Sequence, residues 1–430
     1  MAAPPLGLEL SYFRRFIELH GGIARFAGLT TAQVCLQFVV PHTASTALSL
    51  VEHVRLHSSE ASSVRTANWY VSHAWSYIFL DVLESLEAFF PRVGVADPVV
   101  WFCVFNNNQH DTVIRPFSWW QSTFKNSLAA IGNVVLVMHP WTSPVTLTRS
   151  WCVFEIYVSR CVGARLGVAL VPSQQARFFD DLTKDIDLFY DMLASINSEK
   201  AQATIPSDKA NIDCVIRDEV GFLQLDRTVF ATFEGCMLST AKAALAAATA
   251  PRERALSELM LAHLYDERRE FEEAKVHAEA ALKVLVQEAG FDNLQTITAR
   301  AHLACTLAET HVHQSRWEPA LREAVAMLVN AAGPLSAVTL KYEARLGRLL
   351  SSHSLGTSEA ITILAAVVYK MQSLYGPRNH RTLIVQSWLD DAIAMESPSS
   401  WLPKTTFGAS YTSPANSGSP TESPSMMKNE

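Results

Sequence analysis

A chain of 430 residues exceeds what one hydrophobic core serves, so two ordered modules with linking segments are expected. Apolar residues make up 49% and charged residues 18%, which is enough apolar surface to build cores and excludes a wholly disordered chain. Lys and Arg number 35 against 42 Asp and Glu, a net charge of −7 with no basic run, which excludes nucleic acid as a partner.

Residues 1–65 are predicted as a helical N-terminal extension, with Phe13, Phe16, Ile17 and Ile23 spaced for one face that packs on the next domain. Residues 66–175 alternate strand-like runs (69–72, 99–105, 133–139, 166–171) with helical stretches (79–90, 117–130, 148–162). That alternation predicts an α/β domain with a parallel sheet covered on both faces. Ligands of such open sheets collect outside the carboxyl ends of the strands. Polar and aromatic groups gather at those ends: Ser72, His73 and Trp75 after the first strand, Asn108, Gln109 and His110 after the second, and Trp141 after the third. The third helix then opens with Arg149-Ser150-Trp151-Cys152-Val153-Phe154-Glu155.

This helix opening resembles that of TIR domains, particularly plant ones, in which the pattern is Ser-x-Trp-Cys-x-x-Glu. Trp151, Cys152 and Glu155 match in order and spacing, while Ser150 adjoins Trp151 rather than standing one residue removed. The resemblance implies a flavodoxin/TIR-like sheet, self-association of the domain, and cleavage of nicotinamide from NAD as substrate by a catalytic Glu155, with no bound cofactor and no metal. The residues suit that chemistry. One carboxylate stabilises the oxocarbenium-like charge that builds on the ribose, and indoles such as Trp75 or Trp141 stack on a base ring. Ser72, His73, Asn108, Gln109 and His110 supply polar contacts, Trp151 lies one helical turn before Glu155, and Arg149 adds an anion contact near the helix N-terminus. TIR domains usually carry an acidic residue and a Pro-Gly turn after the second strand, where this chain has NNNQHDTVIRPFSWW. Plainer roles stand beside these: Glu155 as an acid complementing the helix dipole, Cys152 as a packed thiol, Trp119 and Trp120 as core. His73, His110 and Cys103 lack the tight spacing of metal ligands.

Residues 176–250 read as a helical linker region with a cap at Pro206-Ser207-Asp208. From 251 to 395 the chain repeats. Gly290, Gly333 and Gly376 recur 43 residues apart, each followed six positions later by Thr296, Thr339 or Thr382, and Leu303, Leu346 and Leu389 keep the same period. Apolar residues at spacings of three and four make each unit a pair of amphipathic helices, and stacking of such pairs gives an α-solenoid with a concave surface. Ala274, Ala320 and Ala360 fall out of step with that period, which predicts hairpin turns of varying length. The LAHLY…EA…AL…G…T layout resembles the TPR repeats of kinesin light chains, and the N-terminal region, including GLTTAQVCLQFVVPHTAS and YVSHAW…NNNQH…LTRSWCVFEIY, resembles uncharacterised repeat proteins of protists and algae. The resemblance implies a protein or peptide ligand on the array and no chemistry. Residues 396–430 read as a disordered Ser/Pro-rich tail with Ser-Pro sites at Ser413, Ser419 and Ser423, and His311 and His313 as a solvated pair.

No apolar run is long enough to span a bilayer, the start lacks a basic stretch followed by an apolar one, and the seven cysteines are scattered. The expected location is the cytoplasm. The function expected is an intracellular signalling or adaptor protein whose TIR-like domain cleaves NAD. The alternative is a non-enzymatic scaffold or cargo adaptor like a kinesin light chain.

Overall fold

The computed structural model describes residues 5–111, 115–310, 312–353 and 355–396, so the Ser/Pro-rich tail and His311 lie outside the described residues. An N-terminal mixed-sheet domain is followed by a long run of helices, the α/β-plus-α-solenoid class. The strands are β1 (Leu6–Glu9), β2 (Val64–Thr66), β3 (Trp69–Ser72), β4 (Val99–Phe102), β5 (Asn133–Val137) and β6 (Arg165–Ala169), ordered β2-β1-β4-β3-β5-β6. β4, β3, β5 and β6 are parallel, and β1 runs antiparallel to both β2 and β4, with Leu8 opposite Val100. This corrects two expectations at once. The sheet is mixed rather than parallel, and the first 65 residues, expected as helix, supply two of its strands. These strands have four and three residues, too short to display a period of two.

β3 and β4 are buried on both faces, which is why they read as unbroken apolar runs. Successive side chains alternate. Trp69 and Val71 enter the layer built by α1 (Leu10–Leu19), α2 (Leu50–His57) and α3 (Phe79–Arg92). Tyr70 enters the opposite layer, against α4 (Phe117–Ile131) and α5 (Ser150–Cys161), and stacks on Trp101 at 4.6 Å. That second layer does not end with the sheet. It continues through α6 (Pro172–Lys184), α7 (Asp187–Ala194), α8 (Pro206–Glu219) and α9 (Phe222–Ala247) by way of Leu182, Phe189, Ile212 and Phe233, and reaches Leu261, Leu264 and Ala274 of the first hairpin. The linking helices are thus a shared core between the two modules.

The array comprises α10 (Pro251–Glu267), α11 (Phe271–Ala289), α12 (Leu294–Glu309), α13 (Gln314–Ala332), α14 (Ala337–Ser352), α15 (Thr357–Tyr375) and α16 (His380–Glu396). Helix starts recur every 43 residues in both halves of the hairpin. Gly290, Gly333 and Gly376 end the second helix of each unit at φ of 80°, 90° and 88°, a conformation that L side chains rarely adopt. Three residues on, Asn293 and Ser336 cap the next helix, and the Asn379 side chain accepts from the Arg381 N–H in the same place. Thr296, Thr339 and Thr382 are all buried.

The uneven alanine spacing resolves here. Ala274, Trp317 and Ala360 stand 43 apart and are each fully buried, whereas Ala320 is half-buried. A tryptophan occupies a position held by alanine in its neighbours, so matching alanine to alanine misplaced the register, and the hairpins are of equal length. Helices α10, α12, α14 and α16 touch one another as well as their hairpin partners, which makes them the inner, concave row. Among the described residues no helix is long and apolar enough to cross a membrane.

Candidate functional site

The sequence-derived site centres on Glu155 in α5. Its carboxylate turns into the sheet, 7% exposed, and accepts from the Tyr70 hydroxyl at 2.7 Å and from the Ser72 hydroxyl. Burial pushes its pKa up to about 7, with the Ser72 and Tyr70 hydrogen bonds opposing the rise. Glu155 lies in the second turn of α5, so it faces the strands rather than the helix N-terminus, and the dipole-complementing role does not apply. Tyr70 was not singled out in the sequence, although alternation along β3 places it on the face of Ser72.

The other predicted residues disperse. His73 lies in the opposite layer, stacked on Phe102 with ring centroids 4.5 Å apart and Nε2 3.2 Å from Thr31 Oγ1; burial lowers its pKa to about 3, so it is neutral. Trp75 is half-buried, and its carbonyl accepts from the Thr31 hydroxyl. The loop after β4 clamps the N-terminal segment: Asn108 donates to the Ala47 carbonyl, and His110 Nε2 lies 2.8 Å from Thr43 Oγ1. Gln109 donates to the carbonyls of Cys103 and Val104. Trp141 is 1% exposed and packs edge-on against Phe178. Arg149 donates to Thr204 Oγ1 at 2.6 Å, and Trp151 donates its indole N–H to Asp208 of α8. Trp120 packs against the core, and Trp119 lies under the Arg115 guanidinium. Only Ser72 of the predicted set reaches Glu155. Cys152 is buried, with its thiol pKa pushed well up by that burial and its Sγ 3.5 Å from the His73 carbonyl, which fits a packed thiol.

A second constellation lies on the concave row of the array, where the N-terminal module meets it. Lys341, Arg345 and Arg348 follow one another on α14 at spacings of four and three, hence on one face. Arg381 and His380 open α16. Opposite them stand three carboxylates from α7 and the residue pair before it. Lys341 Nζ meets Asp187 Oδ1 at 2.6 Å, Arg381 Nε donates to Asp191 at 2.9 Å, Arg381 Nη1 donates to Asp185 at 3.0 Å, and His380 Nδ1 lies 3.1 Å from Asp191. Among the described residues, every ion pair of Lys341 and Arg381 is with this segment. Burial alone would raise the Asp187 carboxyl, but Lys341 and then Arg381 hold it below the usual carboxylate range. Arg345 pairs instead with buried Asp266 of α10 at 2.5 Å, and Arg348 pairs with Glu309 while lying over the Trp388 ring.

Two hollows flank α7. The smaller, about 30 Å³, is lined by Leu182 and Ile186 against Met260, Val338 and Tyr342 of the inner helices. The larger, about 330 Å³, runs past Asp187 and Tyr190 to Tyr375, Ile384 and Trp388. Neither these nor the small apolar hollow under Trp141 includes Glu155. The repeats predict a concave face for a ligand but not its ionic lining, because those pairs join residues 154 to 196 positions apart. The signal present was the Lys341-Arg345-Arg348 stripe on a helix otherwise read as packing, with Asp187 and Asp191 four apart as its match.

No family model matches the chain, and no curated protein matches it. Among solved structures, the crystal structure of BtubC (BKLC) from P. vanneervenii is similar at 16% identity over 59% of this chain and 97% of that chain, with a TM-score of 0.29. A likeness that slight carries no argument about function. None of these comparisons supports the resemblance of residues 66–175 to TIR domains.

Proposed function

We propose that this chain is a protein-binding scaffold or adaptor whose helical-hairpin array takes a segment of a partner along its concave face. The observation that carries this reading is the groove itself. A hollow of about 330 Å³ lies on the inner row, bordered by Tyr375, Ile384 and Trp388 beside the guanidinium groups of Arg345, Arg348 and Arg381. Aromatic side chains beside fixed cations are the combination from which peptide-binding surfaces draw both affinity and orientation. An array of stacked hairpins also supplies no chemistry of its own, only a long surface.

The test is selection of a phage-displayed random peptide library on the full-length chain, followed by fluorescence polarisation on the enriched sequences. Binding that weakens at least tenfold in Trp388→Ala and Ile384→Ala supports the reading. A library that yields no binder, or binders indifferent to both substitutions, removes it.

A further inference from the structure

The N-terminal segment carries histidines that neither the sheet site nor the array uses. His20 closes α1, His42 stands in the helical turn Val40–Thr43, and His53 and His57 lie four apart on α2. Their rings form a row, with centroids 5.1 Å apart for His20 and His42, 5.0 Å for His42 and His53, and 5.7 Å for His53 and His57. We propose that this row is a proton-sensitive clasp, which holds residues 40–57 on the loop after β4 at neutral pH and releases that loop in mild acid. The inference does not depend on the scaffold reading.

Three observations support it. First, the neutral row is satisfied and the charged row is not. His20 Nδ1 lies 2.8 Å from the Phe16 carbonyl, which can only accept, so Nδ1 carries the hydrogen. The Thr46 hydroxyl donates to the Thr43 carbonyl, which leaves its oxygen to accept from His53 Nδ1–H at 2.9 Å. A second proton on either ring goes to Nε2, which has no acceptor among the described residues. Second, no counterion waits for that proton. Among the described residues the histidines in ion pairs are His277 and His380, both in the array. Of the other charges on the elements around the row, Arg14 and Arg15 of α1 pair with Glu87 and Glu60, and Glu52 of α2 turns back to cap Ser49. Asp111 of the loop pairs with Arg115, Arg25 lies over the Phe38 ring next to His20, and Glu18 and Arg55 form no ion pair among the described residues. Burial first, then the imidazoles beside them, lower the pKa values of His42 and His53. Docking stability is therefore complete above pH 6.5 and is lost as the pH falls below it. Third, the row is tied to the loop. Thr43 adjoins His42; its hydroxyl donates to the Val39 carbonyl, so its oxygen accepts from His110 Nε2–H at 2.8 Å. The Asn108 side chain donates to the Ala47 carbonyl at 2.9 Å. Repulsion that shifts residues 40–57 breaks both contacts. It frees Asn108 and His110 at the carboxyl end of β4, where ligands of open sheets collect.

The test is hydrogen–deuterium exchange of the full-length chain at about pH 7 and about pH 5, with labelling times scaled for the intrinsic pH dependence of amide exchange. Residues 40–57 and 106–111 should exchange at least tenfold faster in acid, with α10 to α16 unchanged, because buried His73 and His302 take up protons only at about pH 3 and about pH 4. His42→Gln removes the middle charge of the row. It should match the parent at pH 7 and lose most of the acid response. Should His42→Gln already be loose at pH 7, the exposed position His57→Gln takes its place and should reduce the response. A parent with no acid response, a response spread evenly over the chain, or one undiminished in these variants overturns the inference.

Discussion

Replacing Glu155 with glutamine probes the most strongly perturbed carboxylate of the sheet domain. In the folded chain its pKa is pushed from 4.5 to about 7 by burial, so the folded state holds the proton more tightly than the unfolded state does. Stability from that proton is complete below pH 4.5 and is lost as the pH rises towards 7. At about 1.4 kcal/mol per unit, a rise of this size amounts to about 3 kcal/mol of stability surrendered by the parent chain above pH 7. Glutamine cannot ionise and escapes that loss. It also accepts through one oxygen only, so one of the Tyr70 and Ser72 hydrogen bonds must rearrange, at about 1–3 kcal/mol regardless of pH. The difference between variant and parent should therefore move by about 3 kcal/mol in favour of glutamine between pH 4.5 and pH 8. Urea unfolding followed by tryptophan fluorescence at the two pH values measures it. A difference that does not change with pH would refute the picture of an enclosed carboxylate that takes up a proton near neutrality.

The opposite pH dependence should appear in the array. His302 is fully buried and held neutral by that burial, its pKa lowered to about 4, so stability present above pH 6.5 is lost as the pH falls towards 4; thermal unfolding of His302→Gln should lose part of the acid sensitivity, with buried His263, 3.9 Å away, and His73 keeping the rest, and a profile unchanged from the parent would count against the assignment. Trp317→Ala should cost about 3–5 kcal/mol because the indole fills a position packed to zero exposure, even though alanine occupies the equivalent place in both neighbouring repeats; a cost below about 1 kcal/mol would mean that the hairpins relax around it. Gly333→Ala meets nothing within 4 Å, so its cost, about 1–3 kcal/mol, is the backbone strain of positive φ alone, and Gly333→Asn should cost as much, because φ of 90° with ψ of 159° lies outside the left-handed helical region that asparagine tolerates; a variant as stable as the parent would contradict this. Incubation with NAD should release no nicotinamide from either the parent or Glu155→Gln, because the carboxylate is enclosed by Tyr70 and Ser72; turnover that disappears in the variant would restore the catalytic reading.

The repeats were legible because each device that builds them is local. A glycine at positive φ and a buried threonine six residues on sit within one turn of chain, and they survive any change of partner. Trp317 obscured the register because residue type, rather than position, was matched. The parallel core of the sheet was equally plain, since β3, β4 and β5 are buried on both faces and read as apolar runs. β1 and β2 were not plain, because strands of four and three residues are too short to show a period and take their conformation from the neighbours they pair with. That omission had a further effect on the candidate site. Asn108 and His110 seemed free to meet a ligand only because the segment at Thr43 and Ala47, which they grip, was not known to dock there. Ser72 donates to the Glu155 carboxylate, while Arg149 and Trp151 turn towards Thr204 and Asp208, partners contributed by the linking region. The ionic lining of the concave face was invisible for the same reason on a larger scale. Nothing near Lys341 or Arg381 in sequence shows that aspartates more than 150 positions earlier meet them.

The concave face is most directly tested by hydrogen–deuterium exchange of the full-length chain with and without a saturating library-selected peptide. The account predicts slower exchange along α12, α14 and α16, with α11, α13 and α15 unchanged. Protection confined to the outer helices or to the sheet domain would contradict it.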